Sequence, residues 1–251
     1  MKYLNLFKGT LLRVIAEIKR YYLNTLSTFA VMILIFYFMV IGINRFGSPA
    51  SLGNNLQGVA VGYFVWIALL GALVDLSWTI INEMSIGIIE QSFLSPLGPG
   101  VIYLFYQLSN FIFMMPLTLF MMVVIFKMAG LSILVPKEFF IILILLIFQG
   151  YGIGFILSGI TLRFKRTQAL LQIVQFAIIS FLIASFDGIY KFLVPANAYV
   201  VAMRMTMNNK PIDSYYWIGM IVSTLAYLTI GMLIFSYYSN KVRKKGEIAV
   251  Y

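Results

Sequence analysis

Three groups of polar side chains stand where a mostly apolar chain has least room for them. Asp75 interrupts the apolar run at 60–80. A carboxylate at membrane depth costs about 2.5–3.5 kcal/mol on insertion scales, so it needs water, a partner or a proton. Two readings stand: a substrate-pathway or gating group, or a residue close enough to the end of the run to reach the interface. Gln168, Gln172 and Gln175 recur at four- and three-residue spacing and so share one face of a helix. Three such amides either line a polar conduit or bond across a helix interface, where these bonds average about 0.6 kcal/mol. The third group lies in Asn82–Gly100, NEMSIGIIEQSFLSPLGPG, a polar interruption that carries Glu83 and Glu90 and no basic residue. Carboxylates on a short surface helix suit the docking of a protein partner.

Enzymatic chemistry has little to work with. With no Cys and no His, disulfides, thiol chemistry, the usual zinc sites and Ser-His-Asp or Cys-His arrangements are excluded. The carboxylates are too scattered for a paired acid–base site. There is no G-x-x-x-x-G-K-[ST] phosphate loop, since Gly154 to Gly159 supplies the two glycines but is followed by Ile160. The chain is expected to be non-catalytic and to hold no cofactor or metal of its own.

The elements that position these groups follow from composition. Apolar residues make up 62% of the 251 residues and charged residues 10%, against roughly 25% charged in a soluble domain. Runs of about 20 apolar residues, long enough to cross about 30 Å of hydrocarbon as helices, recur near 23–43, 60–80, 101–127, 139–161, 169–186 and 215–238. The expected fold is an all-α polytopic membrane protein of six spans. Residues 1–22 form an N-terminal interfacial amphipathic helix, with Leu4, Phe7, Leu11, Ile15, Ile18 and Tyr22 on one side and Lys2, Arg13 and Arg20 on the other. No small-residue cleavage pattern follows, so this segment does not read as a signal peptide. Residues 23–251 form a single transmembrane domain ending in a basic tail at 239–251.

The net charge of +10 would point to nucleic acid in a soluble chain. Here the basic residues cluster at the ends of apolar runs, as topology anchors and lipid-headgroup contacts, so no nucleic-acid partner is expected. Placing the N-terminus inside puts twelve of the eighteen Lys and Arg residues in the cytoplasm. The positive-inside bias supports that orientation, with both termini and the 82–100 segment cytoplasmic and the cell membrane as location.

Spacing reads 82–96 as one short helix beginning near Asn82, with Glu83, Gly87 and Glu90/Gln91 on one face and Ile86, Ile89 and Phe93 on another. Ser95-Pro96 and Gly98-Pro99-Gly100 end it. Gly150, Gly154 and Ser158 give a small-residue face for close helix approach, Pro116 should kink the third span, and Gln107, Asn110 and Gln149 are read as packing groups. Between Asp187 and Ser214 the outer connection is too apolar for a solvated loop. Two short half-helices around Pro195, dipping back into the membrane, are expected.

Gly87-Ile88-Ile89-Glu90-Gln91-Ser92-Phe93-Leu94-Ser95-Pro96 resembles, without a gap, the G-T-L-E-Q-L-L-x-S-P segment of permease subunits of the ABC-2 transporter family. Glu83 stands where that family often begins its acidic lead-in, while Met84, Ser85 and Ile86 depart from its charged residues. A second segment, Pro195 to Arg204 with Tyr199, resembles the P-L-T-Y…A-L-R stretch before the last span of these permeases, the tyrosine displaced by one position. The resemblance implies that 82–96 is a coupling helix seated on an ATP-hydrolysing partner through Glu83, Gly87, Glu90, Gln91, Ser95 and Pro96. It implies a dimer of permease subunits, homo- or heterodimeric, with two copies of the ABC ATPase, which would carry the ATP and Mg. It also implies a central pathway built from the first, second and fifth spans, with Asp75 and the glutamine face as candidates, and an outer re-entrant segment with Pro195, Tyr199 and Arg204.

Two other classes compete with an ABC-2 exporter of a drug, peptide or lipid- or glycan-linked substrate. An ion-coupled secondary transporter using Asp75 has one convincing intramembrane carboxylate but no clear internal repeat. A membrane enzyme acting on lipid has no nucleophile and base.

Overall fold

A computed structural model describes residues 2–46, 56–131, 135–183, 186 and 188–246, and among them every regular element is a helix. In chain order these are α1 (Lys2–Arg20), α2 (Tyr22–Phe46), α3 (Leu56–Ser85), α4 (Ile89–Leu94), α5 (Gly98–Met128), α6 (Lys137–Phe164), α7 (Gln168–Ile183), α8 (Tyr190–Leu193), α9 (Asn197–Met207) and α10 (Ser214–Lys245). Five of them, α2, α3, α5, α6 and α10, are long and apolar enough to cross a membrane. The architecture is that of a helical, multi-pass membrane protein. Among the described residues these five coincide with five of the six expected spans, and the remaining one, expected at 169–186, falls on α7. The described part of α7 has 16 residues, about 24 Å of helix, and its apolar stretch is shorter than the rest. The end of the fifth expected run, at 184–185, and the tail at 247–251 lie outside the described residues, as does Asp187.

Helix α6 is the centre of the bundle because its glycines let two neighbours approach its backbone. On one face a Cβ on Gly150 would stand 2.7 Å from the Cβ of Ala72, and one on Gly154 would stand 2.9 Å from the Ala72 carbonyl oxygen. Ser158 continues that face with a 3.1 Å hydroxyl contact to Ser77. The Gly150–Gly154–Ser158 face therefore seats α3, as its spacing predicts. The opposite face, which the sequence reading did not single out, seats α10. A Cβ on Gly152 would lie 2.4 Å from the Tyr227 carbonyl carbon, and one on Gly231 would lie 2.1 Å from the Gly152 carbonyl oxygen. Phe155 closes edge-on against Phe235 at 5.5 Å. In lipid, where the hydrophobic effect does not drive helices together, close backbone approach of this kind supplies the association energy.

The connection leading into α10 forms two short helices, α8 and α9, on either side of Pro195. Gln149 ties them to the bundle: its Oε1 accepts from the Ala196 N–H at 3.0 Å and its Nε2 donates to Ser223 Oγ at 2.8 Å, which donates in turn to the Phe192 carbonyl at 2.7 Å. Gln149 is the packing group its position predicts. Tyr199 is buried and shares a 2.7 Å hydroxyl contact with Thr224. Arg204 Nη2 donates to the Gly58 carbonyl at 3.2 Å, pinning α9 to the start of α3. Helix α5 runs from Gly98 to Met128 as one element that includes Pro116. Helix α2 is the least covered, held through the buried Phe36 stacked on Tyr63 and a 2.6 Å bond from the Tyr63 hydroxyl to the Met32 carbonyl.

Candidate functional site

Two neighbouring features collect the polar residues: a cluster among α1, α3 and α5, and the connection from α3 to α5. Helical spacing builds the cluster. Thr10, Arg13 and Glu17 form one stripe of α1, Asp75, Thr79 and Glu83 one stripe of α3, and Tyr103, Tyr106 and Asn110 one stripe of α5. The Arg13 guanidinium bonds Glu17 Oε1 through Nε at 2.8 Å and Glu83 Oε1 through Nη2 at 2.5 Å. It also lies over the Tyr106 ring, 4.8 Å from the centroid. Tyr103 donates its hydroxyl to the other Glu83 oxygen at 2.5 Å, and Tyr106 donates to Glu17 Oε2 at 3.0 Å. Asn110 Nδ2 donates to Asp75 Oδ2 at 2.9 Å, and the hydroxyls of Thr10 and Ser109 meet at 2.8 Å. Burial alone would lower the Arg13 pKa, but Glu83 and Glu17 outweigh it and hold the guanidinium above its ordinary value. Two carboxylates thus share one guanidinium, and the third, Asp75, is held by an amide.

This geometry corrects two expectations. Arg13 does not lie with Lys2 and Arg20: those two are exposed, while Arg13 turns inward with Thr10 and Glu17. A charged stripe turns inward when a buried carboxylate waits for it, because Glu83 without a cation would be an unpaired buried charge. Glu83, 3% exposed, is correspondingly not part of an outward acidic face. Nor is 82–96 a single helix. Helix α3 continues through Ser85, Gly87 turns the chain at φ 74°, and α4 spans Ile89–Leu94. A positive φ is costly for residues with a Cβ, so this break depends on the glycine.

Helix α4 buries Ile89, Ser92 and Phe93 and leaves Glu90 and Gln91 outward. Ile86 is 67% exposed and Leu94 81%, so Ile86 does not join the inner face with Ile89 and Phe93. Pro96 is exposed and Ser95 half-buried, and Gly98, at φ 73°, starts α5. The connection therefore presents a carboxylate and an amide flanked by large apolar side chains, on a short helix clamped between two long ones.

Asp75 and the glutamines are not brought together. Asp75 is partly buried and engaged with α5, whereas Gln168 and Gln172 are exposed on α7 and Gln175 is half-exposed. Within one chain the glutamines line no conduit with Asp75. Gln107 is 1% exposed, and neither of its amide atoms is bonded among the described residues. It lies between Tyr103 and Asn110 on α5. The members missed by sequence reading are Arg13, Glu17, Tyr103 and Tyr106. Their signal was the recurrence of polar residues three, four and seven apart in three separate segments, which only matters once those segments are known to meet. No group of His, Cys, Asp or Glu that could hold a metal occurs among the described residues.

Comparison with known proteins gives no match: no family model, no curated protein and no solved structure matches this chain.

Proposed function

We propose that the chain is the permease subunit of an ATP-driven ABC-2 type exporter, working as a dimer with two copies of a soluble ATPase subunit. The observation that carries the reading is α4. It is a six-residue helix that offers Glu90, Gln91 and Leu94 outward and is joined through glycine turns to two of the membrane-crossing helices. Force applied by a partner at α4 passes directly into α3 and α5. The resemblance of 87–96 to the coupling segment of ABC-2 permeases supports the same assignment. In this reading α4, α1 and the basic end of α10 are cytoplasmic, and α8 and α9 around Pro195, Tyr199 and Arg204 form a re-entrant outer gate. The glutamine face of α7 points to a second permease subunit or to the pathway between the two. The transported substrate is a drug, a peptide or a lipid- or glycan-linked molecule.

The test is reconstitution. The purified chain should hydrolyse no ATP by itself and should bring down a soluble ATPase from its own membrane. Glu90→Lys should then lower transport per ATP while the complex still assembles. Unchanged coupling in a folded Glu90→Lys, Gly87→Pro double variant, or ATP hydrolysis by this chain alone, would overturn the proposal. A cysteine at exposed Gln91 should be shielded from an impermeant thiol reagent added outside the cell. One observation favours a second reading, ion-coupled transport through Asp75: the cluster holds more carboxylates than cations. Transport driven by a proton gradient without any ATPase would select it.

A further inference from the structure

A cavity of about 290 Å³ lies between the first turn of α5 and the last turns of α10. Its polar end and its apolar end are made by different residues. At the polar end, Ser95 takes the N–H groups of Leu97, just before α5, at 3.4 Å and of Gly98, its first residue, at 3.1 Å, and Pro99 has none. No partner among the described residues takes the Gly100 N–H, and Gly100 lines the cavity. Opposite it stand Ser236, Ser239 and Asn240 on one stripe of α10. Arg243 and Lys244, both exposed, extend that stripe by another turn.

Ser239 points to a ligand. Buried helical hydroxyls ordinarily close on the carbonyl four residues back, and Ser158 and Thr161 do so at 2.6 and 2.9 Å. Ser239 is 4% exposed, lines the cavity and has no partner among the described residues. Its hydroxyl is left to the cavity, free to donate to whatever enters it. The donors are an N–H at a helix start, hydroxyls and an amide, with two cations beyond them, so the acceptor is an anion. The opposite wall, from Leu104, Phe155 and Met232, is apolar and runs into the spans. An anion with hydrocarbon attached is an amphiphile, and the cavity sits at the ends of two membrane-crossing helices, where headgroups lie.

We propose that this cavity binds one phospholipid with an anionic headgroup. Its phosphate accepts from Gly100 N–H and from Ser236 and Ser239, Arg243 and Lys244 face the headgroup, and an acyl chain lies along Leu104 and Met232. The proposal holds whether or not the chain is a permease. Because both α5 and α10 reach the cavity, the lipid bridges them at the level of the α4 connection.

Delipidated protein in neutral detergent, titrated and read by native mass spectrometry, tests it. Phosphatidylglycerol should bind saturably at one per chain, and diacylglycerol, which lacks the phosphate, about tenfold more weakly. Inorganic phosphate at millimolar concentration should not displace the lipid. A Cβ at Gly100 would sit 3.8 Å from Ser236 Oγ, so Gly100→Leu fits the backbone and fills the cavity, and should reduce phosphatidylglycerol binding about tenfold or more. Ser239→Ala should weaken it about threefold, and Gly71→Leu, with nothing within 4 Å of its added Cβ, should leave it unchanged. Equal binding of diacylglycerol, full displacement by inorganic phosphate, or unchanged binding in a monodisperse Gly100→Leu protein would each overturn the assignment. If Gly100→Leu does not yield folded protein, undiminished affinity in Ser239→Ala overturns it alone.

Discussion

Helix α3 takes part in two interfaces that hold by opposite means. Toward α6 it is packed backbone to backbone over Gly150 and Gly154, and α6 in turn closes on α10 over Gly152 and Gly231. Toward α1 and α5 it presents Asp75, Thr79 and Glu83 and is held by a guanidinium, two tyrosines and an amide. The first kind of contact has no tolerance for added volume and does not depend on charge. The second tolerates changes of shape but not the loss of a charged partner. The rigid seam and the electrostatic latch therefore sit on two sides of the same helix.

The sharpest way to break this contrast is volume at the seam. Gly152→Leu should destabilise the protein by about 3 kcal/mol or more, because its side chain meets main-chain atoms that cannot rotate away. The loss of monodisperse protein in detergent reports it, with the exposed Gly71→Leu as the neutral reference. If Gly152→Leu is tolerated, the seam is not close-packed. Next comes Arg13→Ala, which leaves Glu83 buried without its cation and should cost about 2–3 kcal/mol. Adding Glu83→Gln should restore a good part of that loss in thermal unfolding, which no purely steric role of Arg13 allows. Gln149→Leu is smaller, about 1 kcal/mol, since it strands the Ala196 N–H at the start of α9 and leaves the Ser223–Phe192 bond in place. Smallest is Glu90→Gln, below about 0.5 kcal/mol in stability because the carboxylate is exposed and makes no bond among the described residues. Any effect it has should appear in coupled transport instead.

The same contrast decides what could be read in advance. The long apolar helices, the close-approach face of Gly150, Gly154 and Ser158, the packing role of Gln149 and the two short helices around Pro195 are all local patterns, and all were legible. Glu83 was not. Its partner Arg13 lies in a different helix far earlier in the chain, and local spacing marks the polar stripes without saying which of them meet. Hydropathy also ends the second apolar run near residue 80, whereas α3 continues through Ser85 because Glu83 and Met84 are buried by neighbours. The helical spacing of 82–96 was real, but Gly87 at positive φ cuts it, and this moved Glu83 and Ile86 out of the places that a continuous helix would give them. Glu90 kept its exposed position because α4 alone preserves the spacing around it.

The Gly152–Gly231 contact also orders events during synthesis. The glycine face of α6 is made early and its lid last, the two glycines standing 79 positions apart, so at ordinary translation rates α6 waits roughly ten seconds for α10. During that interval a groove of bare backbone carbonyl faces lipid or an insertase. A chain that ended before Ser214 would keep the groove open for good, and quality control in the membrane would meet an exposed helix edge rather than a shortened protein.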